Sequence, residues 1–267
     1  MNNQLKIIKK FKVKPVFDAK TEFKKIKNFL TAYLKKFTEL KTLVLGISGG
    51  QDSTLTGKIC QEAINDLKYD CALNYQFIAV RLPYGIQYDE EDCKLAINFI
   101  NPDQVVTINI KSAVESRIIS LQKAGFNITE HLKGNEKSRE RMKIQYSIAG
   151  ATSGLVVGTC HASEAITGFF TKYGDSSSDI SPILHLNKRQ GKSMLQYLSC
   201  PQRLYLKPPS ADLNENYPGY PDEFALGISY DMIDDYLEGK TINKKTAKII
   251  EDLYYNTQHK RNFPICI

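Results

Sequence analysis

Eight residues, Gly46-Ile47-Ser48-Gly49-Gly50-Gln51-Asp52-Ser53, have the types and spacing to hold a phosphate. They follow the apolar run Thr42-Leu43-Val44-Leu45 and open a helical pattern that reaches about Asn65. A strand, a glycine turn and a helix N-terminus in that order leave backbone N–H groups pointing outward, and the helix end adds roughly half a positive charge. Ser48 and Ser53 can donate further hydrogen bonds, and Asp52 can hold a cation that bridges phosphate oxygens. A second carboxylate, Glu164, lies just past another apolar run that ends at Thr159. In a parallel sheet both strand ends open on one edge, where ligands bind, so Asp52 and Glu164 can meet at one cation.

Three chemistries compete for the loop. The Walker pattern needs a lysine before the closing Ser or Thr, and Gly57-Lys58 falls inside the helix. Gly46-Ile47-Ser48-Gly49-Gly50 fits the G-x-S-x-G nucleophile elbow, with His259 available downstream as a base. The third is the S-G-G-x-D-S loop of ATP pyrophosphatases, which cradles the leaving pyrophosphate. An elbow serine has no use for a carboxylate four residues on, whereas a magnesium-bound triphosphate does. Asp52 and Glu164 therefore favour the third.

The surrounding elements position these groups. Strand patterns at Phe77 to Leu82, Val105 to Ile110 and Leu155 to Thr159 alternate with helical patterns at Asp89 to Ile100, Ser112 to Lys123 and Glu136 to Thr152. That rhythm predicts an α/β fold, a Rossmann-like parallel sheet with helices on both faces. An amphipathic helix over Ala19 to Phe37 precedes it. Helices at Lys188 to Leu198, Ser229 to Leu237 and Asn243 to Tyr255 make a helical C-terminal part. No repeat or composition break marks a second domain, so residues 1–267 read as one, with a basic N-terminal arm over 1–18. Residues 207–222 hold four of the ten prolines and read as a mobile active-site loop.

Composition excludes several classes. A hydrophobic share of 42% and a charged share of 24% are those of a soluble protein, and no apolar run is long enough to span a membrane. The segment Met1 to Lys14 lacks the apolar stretch of a secretory signal. Six scattered cysteines form no C-x-x-C pair, which argues against a zinc knuckle or a disulfide framework and fits the cytoplasm. The net charge of +7 is spread along the chain rather than gathered on one arm, so polyphosphate ligands explain it better than nucleic acid.

These residues resemble ammonia-dependent NAD synthetase, an amidoligase of the ATP-pyrophosphatase group. Besides the loop, the resemblance rests on Arg81-Leu82-Pro83-Tyr84-Gly85, on Gly134 to Lys137 with Arg139 to Lys143, and on Glu164 to Asp175. It continues through Asn187 to Gly191, Ser210 to Leu213 and His259-Lys260-Arg261, covering nearly the whole chain after the basic arm. It implies a carbon–nitrogen ligase for the last step of NAD biosynthesis. Deamido-NAD is adenylated by ATP, pyrophosphate leaves, and ammonia displaces AMP to give NAD. It further implies that ATP lies on Gly46, Ile47, Ser48, Gly49, Gly50, Gln51, Asp52 and Ser53, with Thr159, Lys188 and Ser210. Magnesium would be held by Asp52 and Glu164. Deamido-NAD would meet Arg139, Lys172, Asp179, His259 and Lys260, some from a partner, since the family forms homodimers. Lys188 would offset developing phosphate charge, Asp175 is the candidate base that deprotonates ammonium, and Arg81 could approach the nucleotide. The 207–222 loop would close over the adenylate and exclude water.

The chain departs from the resemblance at Cys160, where many members carry aspartate in Gly-Thr-Asp-His-Ala. Ser176-Ser177-Ser178 replaces a glycine-containing turn, Ser210 stands where threonine is common, and Ile267 ends the chain short of an aromatic acidic tail, which implies a weaker tail contact. His161 reads as structural or as a neighbour of the ligands, and Phe169-Phe170 as core. The rival enzyme is another ATP-pyrophosphatase-type ligase, GMP synthetase-like or tRNA-modifying. A thiolating enzyme would add a cysteine pair, and a glutamine-dependent one an amidase domain for which 267 residues leave no room. A nucleotide sensor, which binds ATP without turnover, is the non-enzyme rival.

Overall fold

A computed structural model describes residues 3–71, 74–210, 219–262, 264 and 266. The elements run α1 (Asn3–Phe11), α2 (Ala19–Lys36), β1 (Thr42–Gly46), α3 (Gln51–Cys71), β2 (Gln76–Arg81), α4 (Glu90–Ile100), β3 (Gln104–Thr107), α5 (Lys111–Lys123), α6 (Glu130–Ala151) and β4 (Gly154–Val156). Then come α7 (Ala162–Thr167), α8 (Lys188–Tyr197), α9 (Gln202–Leu206), α10 (Asp222–Leu226), α11 (Tyr230–Leu237), α12 (Lys244–Asn256) and α13 (Gln258–Arg261). The predicted α/β architecture and the helical C-terminal part are both present.

The four strands are parallel in the order β3-β2-β1-β4. Strand alternation sorts their side chains. Leu43, Leu45, Phe77, Ala79 and Leu155 enter a core roofed by α2, α3, α4 and α8. Val44, Ile78, Val80 and Val156 face the other way, against Val114 of α5 and Ala149 of α6. Truncating a fully buried member such as Leu45 to Ala would cost about 2–5 kcal/mol. The chain leaves β1 toward β2 and β3, then returns to the far side of β1 as β4. The turns after β1 and β4 therefore flank the point where strand order reverses, the place where such sheets bind ligands.

Element ends differ from the expectations for local reasons. Thr129 caps α6 by accepting the Leu132 N–H at 3.3 Å, so the helix starts at Glu130 rather than Glu136. The strand expected to run to Thr159 stops at Val156, and Val157 bridges Ile180 instead. The basic stretch at the start is not an arm: α1 sets Ile7 and Phe11 one turn apart on a buried face, while Lys6, Lys9 and Lys10 stay outside. That face joins α7, α11 and α12 in a second core. The predicted 207–222 loop ends where α10 begins, at Asp222, and its residues 211–218 lie outside the described set.

Candidate active site

The glycine loop is tied by its own hydroxyls. Ser48 Oγ and Ser53 Oγ lie 3.1 Å apart, Ser48 Oγ accepts the Gly50 N–H at 3.2 Å, and Ser53 Oγ accepts the Ser48 N–H at 3.3 Å. Gln145 of α6 holds the loop's entry, its Oε1 accepting the Gly46 N–H at 2.7 Å. Gly49 adopts φ +83°, and a Cβ there would stand 2.7 Å from the Cys93 backbone nitrogen. Only glycine therefore lets α4 seat against the turn. Gln87 donates to the Ser48 carbonyl at 3.2 Å from the outer side.

The carboxylate of Asp52, in the first turn of α3, meets the residues that follow β4. Donor atoms of Asp52, His161 and Glu164 all lie within 4.8 Å of one another. Lys188, the first residue of α8, donates from Nζ to Asp52 Oδ2 at 2.7 Å. It also packs 5.2 Å from the centre of the Tyr230 ring. Tyr230 in turn donates to Asp222 at 3.3 Å. The predicted pairing of Asp52 with Glu164 is thus realised in space, with Lys188 beside it.

Burial and proximity split the charges. Burial opposes ionisation of Asp52, but the Lys188 ammonium and then His161 outweigh it and hold its carboxyl below the usual range. Burial, followed by the charge of Asp52, pushes Glu164 well above that range. Burial lowers His161 to about 4, so its ring is neutral at physiological pH. His161 is 1% exposed, and neither ring nitrogen has a hydrogen-bond partner among the described residues. Two carboxylates and an unpartnered neutral imidazole facing one point fit a divalent cation. His161 therefore belongs to the cluster rather than to a purely structural surround.

Four of the remaining predicted residues lie near the cluster in sequence or in space. Thr159 is half-buried two positions before His161. Ser210 bridges Pro221, next to Asp222, whose charge bears on both Glu164 and Lys188. Asp175 lies close enough for its charge to raise Glu164 and Cys160. Its Oδ1 accepts from the Thr171 N–H and the Ser138 hydroxyl, each at 2.8 Å. Lys260 donates to the carbonyls of Gly168 and Phe170 at 2.9 and 3.0 Å and feels the charge of Asp175.

The other dinucleotide-binding candidates are dispersed. Arg139 pairs with Glu136 at 2.5 Å on α6. Lys172 stands over the Tyr173 ring, and His259 is exposed. Asp179 turns Oδ2 to the Val156 N–H at 2.7 Å, which ties its loop to β4. Arg81 is engaged by Glu90 and by Cys93 Sγ. Phe169 packs on the second core, and Phe170 lies under Lys260. The Cys160 thiol, pushed well up by burial and by the charges of Glu164, Asp175 and Asp52, stays neutral where a further carboxylate would crowd the cluster.

Sequence reasoning missed Gln145, Tyr230, Asp222 and Asp234. Asp234 alone left a signal, an acidic residue on the apolar face formed by Ile233 and Leu237. An open groove of about 440 Å³ between α5 and α6 is lined by none of the predicted site residues.

Known proteins resemble the chain as a whole. The family model described as NAD synthase matches residues 22–264. The NH(3)-dependent NAD(+) synthetase of Sodalis glossinidius (strain morsitans) is 60% identical over 265 residues, covering 99% of this chain and 97% of that protein. The crystal structure of NAD+ synthetase from Burkholderia pseudomallei superposes with a TM-score of 0.84 at 37% identity, covering 98% of this chain and 96% of that one. The structure of NMN synthetase from Francisella tularensis gives 0.84 at 30% identity, covering 94% and 99%. With the serine–glycine loop, the acidic pair and the lysine in place and the match running through nearly the whole chain, this protein belongs to the NAD synthase family.

Proposed function

We infer that the protein catalyses the ATP-dependent amidation of deamido-NAD with ammonia, forming NAD, AMP and pyrophosphate. The observation that carries this reading is the meeting of Lys188, Asp52 and Glu164 at the mouth of the serine–glycine loop. The 60% identity to a synthetase of that name favours deamido-NAD over the mononucleotide suggested by the Francisella neighbour.

Nicotinate carboxylate is a poor electrophile, so its oxygen first attacks the α-phosphorus of ATP and pyrophosphate departs. Loop N–H groups, the hydroxyls of Ser48 and Ser53 and the N-terminus of α3 receive the leaving pyrophosphate, and the Lys188 ammonium offsets its growing charge. Asp52 and Glu164 would hold magnesium, which neutralises phosphate charge when bound. Ammonia then attacks the acyl carbon and AMP leaves. Asp175 takes the proton from ammonium, supported by its place beside Glu164 and Lys260. Positioning carries much of such a reaction, so the ties that fix Asp52 and Lys188 matter as much as their charges.

Arg139, Lys172, Asp179, His259 and Lys260 contact the dinucleotide, completed by a second copy of the chain. An apolar exposed set along β3, α5, the connection after it and α6, including Val105, Ile119, Phe126 and Leu132, supports a homodimer. Free thiols at Cys60, Cys93 and Cys200 suit a reducing cytoplasm. Among the described residues no helix is long and apolar enough to cross a membrane.

The test is pyrophosphate release from ATP and magnesium, with deamido-NAD, nicotinic acid mononucleotide or neither, and with or without ammonium. Release requiring deamido-NAD, and NAD formed only with ammonium, supports the reading. Release indifferent to deamido-NAD removes it.

A further inference from the structure

One buried carboxylate outside the reaction joins the two helices that carry the site. Asp234 of α11 is 1% exposed. Its Oδ1 accepts from the Ser163 hydroxyl at 2.6 Å and from the Lys188 N–H at 3.3 Å, and its Oδ2 accepts from the Arg189 N–H at 2.8 Å. Lys188 and Arg189 are the first two residues of α8, and the next N–H, of Gln190, goes to the Asn187 side chain at 2.9 Å. The positive end of α8 is thus filled by a carboxylate from another helix, a favourable dipole contact that also satisfies otherwise orphaned donors. Ser163 stands immediately before Glu164 on α7. Asp234 therefore ties the first N–H groups of α8 to the Ser163 side chain, whose Oγ also accepts the Lys188 N–H at 3.2 Å.

We propose that Asp234 is the positioning residue of the phosphate site, locking the first turn of α8 to α7 so that Lys188 is held against Asp52 and Glu164. Asp234 touches no reacting atom and acts through Lys188. Burial pushes its carboxyl up to about 6, opposed by the Ser163 hydroxyl and the Arg189 and Lys188 N–H groups, so its negative charge depends on those donors. The activity arm of the test rests on the function proposed above.

The experiment is a double-mutant cycle with a separate structural readout. Asp234→Asn keeps the size and one acceptor for Arg189 but turns an N–H₂ toward Lys188 N and Ser163. It should lower kcat for pyrophosphate release about tenfold to a hundredfold, as small misplacements do, and leave KM for deamido-NAD unchanged. On a Lys188→Gln background the same substitution should cost less than about twofold, because the residue it acts through is already gone. Ser163→Ala, a milder change, should give a smaller loss that does not multiply with that of Asp234→Asn. Equal losses on both backgrounds, or no loss in the single variant, overturn the proposal. Amide hydrogen exchange settles it apart from turnover: the Lys188 and Arg189 amides should exchange faster in Asp234→Asn while those of α12 do not change, and unchanged exchange at α8 sinks the proposal. Should the parent protein release no pyrophosphate with deamido-NAD and ammonium, the proposed function fails, and exchange still decides the role of Asp234.

Discussion

Lys188 Nζ stands 2.7 Å from Asp52 Oδ2, although 136 residues separate them in the chain. Burial opposes the charge of Lys188, and Asp52 and Glu164 more than restore it. The fold thereby keeps an ammonium beside the acidic pair, where the proposed reaction develops phosphate charge. Lys188→Gln should lower kcat for pyrophosphate release by about two to three powers of ten, the scale of losing a main electrostatic contact. Steady-state kinetics at saturating ATP check this, and a rate within a few-fold of the parent contradicts it.

The tightest steric demand falls at Gly49, with its φ of +83° and α4 backbone pressed against it. Gly49→Ala should destabilise the protein by about 1–3 kcal/mol through strain and weaken ATP binding by moving the loop. Thermal unfolding and nucleotide titration read the two effects. Unchanged values in both would show that the turn has room to spare.

Cation binding at the acidic pair should compete with protons. Burial and then Asp52 push Glu164 well above the usual carboxylate range, so a divalent ion must drive a proton off. Manganese titrated into weakly buffered protein should release protons, and its affinity should rise with pH. Glu164→Gln should lose both behaviours. A titration without proton release argues against Glu164 as a ligand.

Acid stability should depend on Glu22 of α2. Burial alone would raise its carboxyl, but hydrogen bonds from Lys25, His185 and Lys14 prevail and bring it to about 2, against an ordinary 4.5. A depressed carboxylate contributes stability that is complete above pH 4.5 and is lost as pH falls toward 2. Glu22→Gln should be less stable at neutral pH and show a flatter stability curve across that window. Denaturant unfolding at several pH values measures it, and parallel curves for the two proteins exclude the role.

Much of this was legible because local chemistry dictated it. Strand alternation at Leu43, Val44 and Leu45 marked the sheet, and the spacing of serines and glycines marked the turn from β1 into α3. The strand-end rule brought Glu164 to Asp52. What the chain order hid depends on tertiary packing. Ile7 and Phe11 become a buried face only once α11 and α12 receive them. His161 becomes a neutral donor only because the site is closed around it. Asp234 sits 45 residues from the Arg189 N–H it accepts, a distance no periodicity reports. Asp179, expected at the substrate, spends one oxygen on the Val156 N–H at the end of β4.

The central claim is that substrate carboxylate oxygen attacks the α-phosphorus of ATP held on the serine–glycine loop. Deamido-NAD carrying ¹⁸O in both nicotinate oxygens, turned over with ATP, magnesium and ammonium, tests it by mass spectrometry of the products. The account predicts one ¹⁸O in AMP, none in pyrophosphate, and the other retained in the amide of NAD. AMP without label, or label in pyrophosphate, would contradict it.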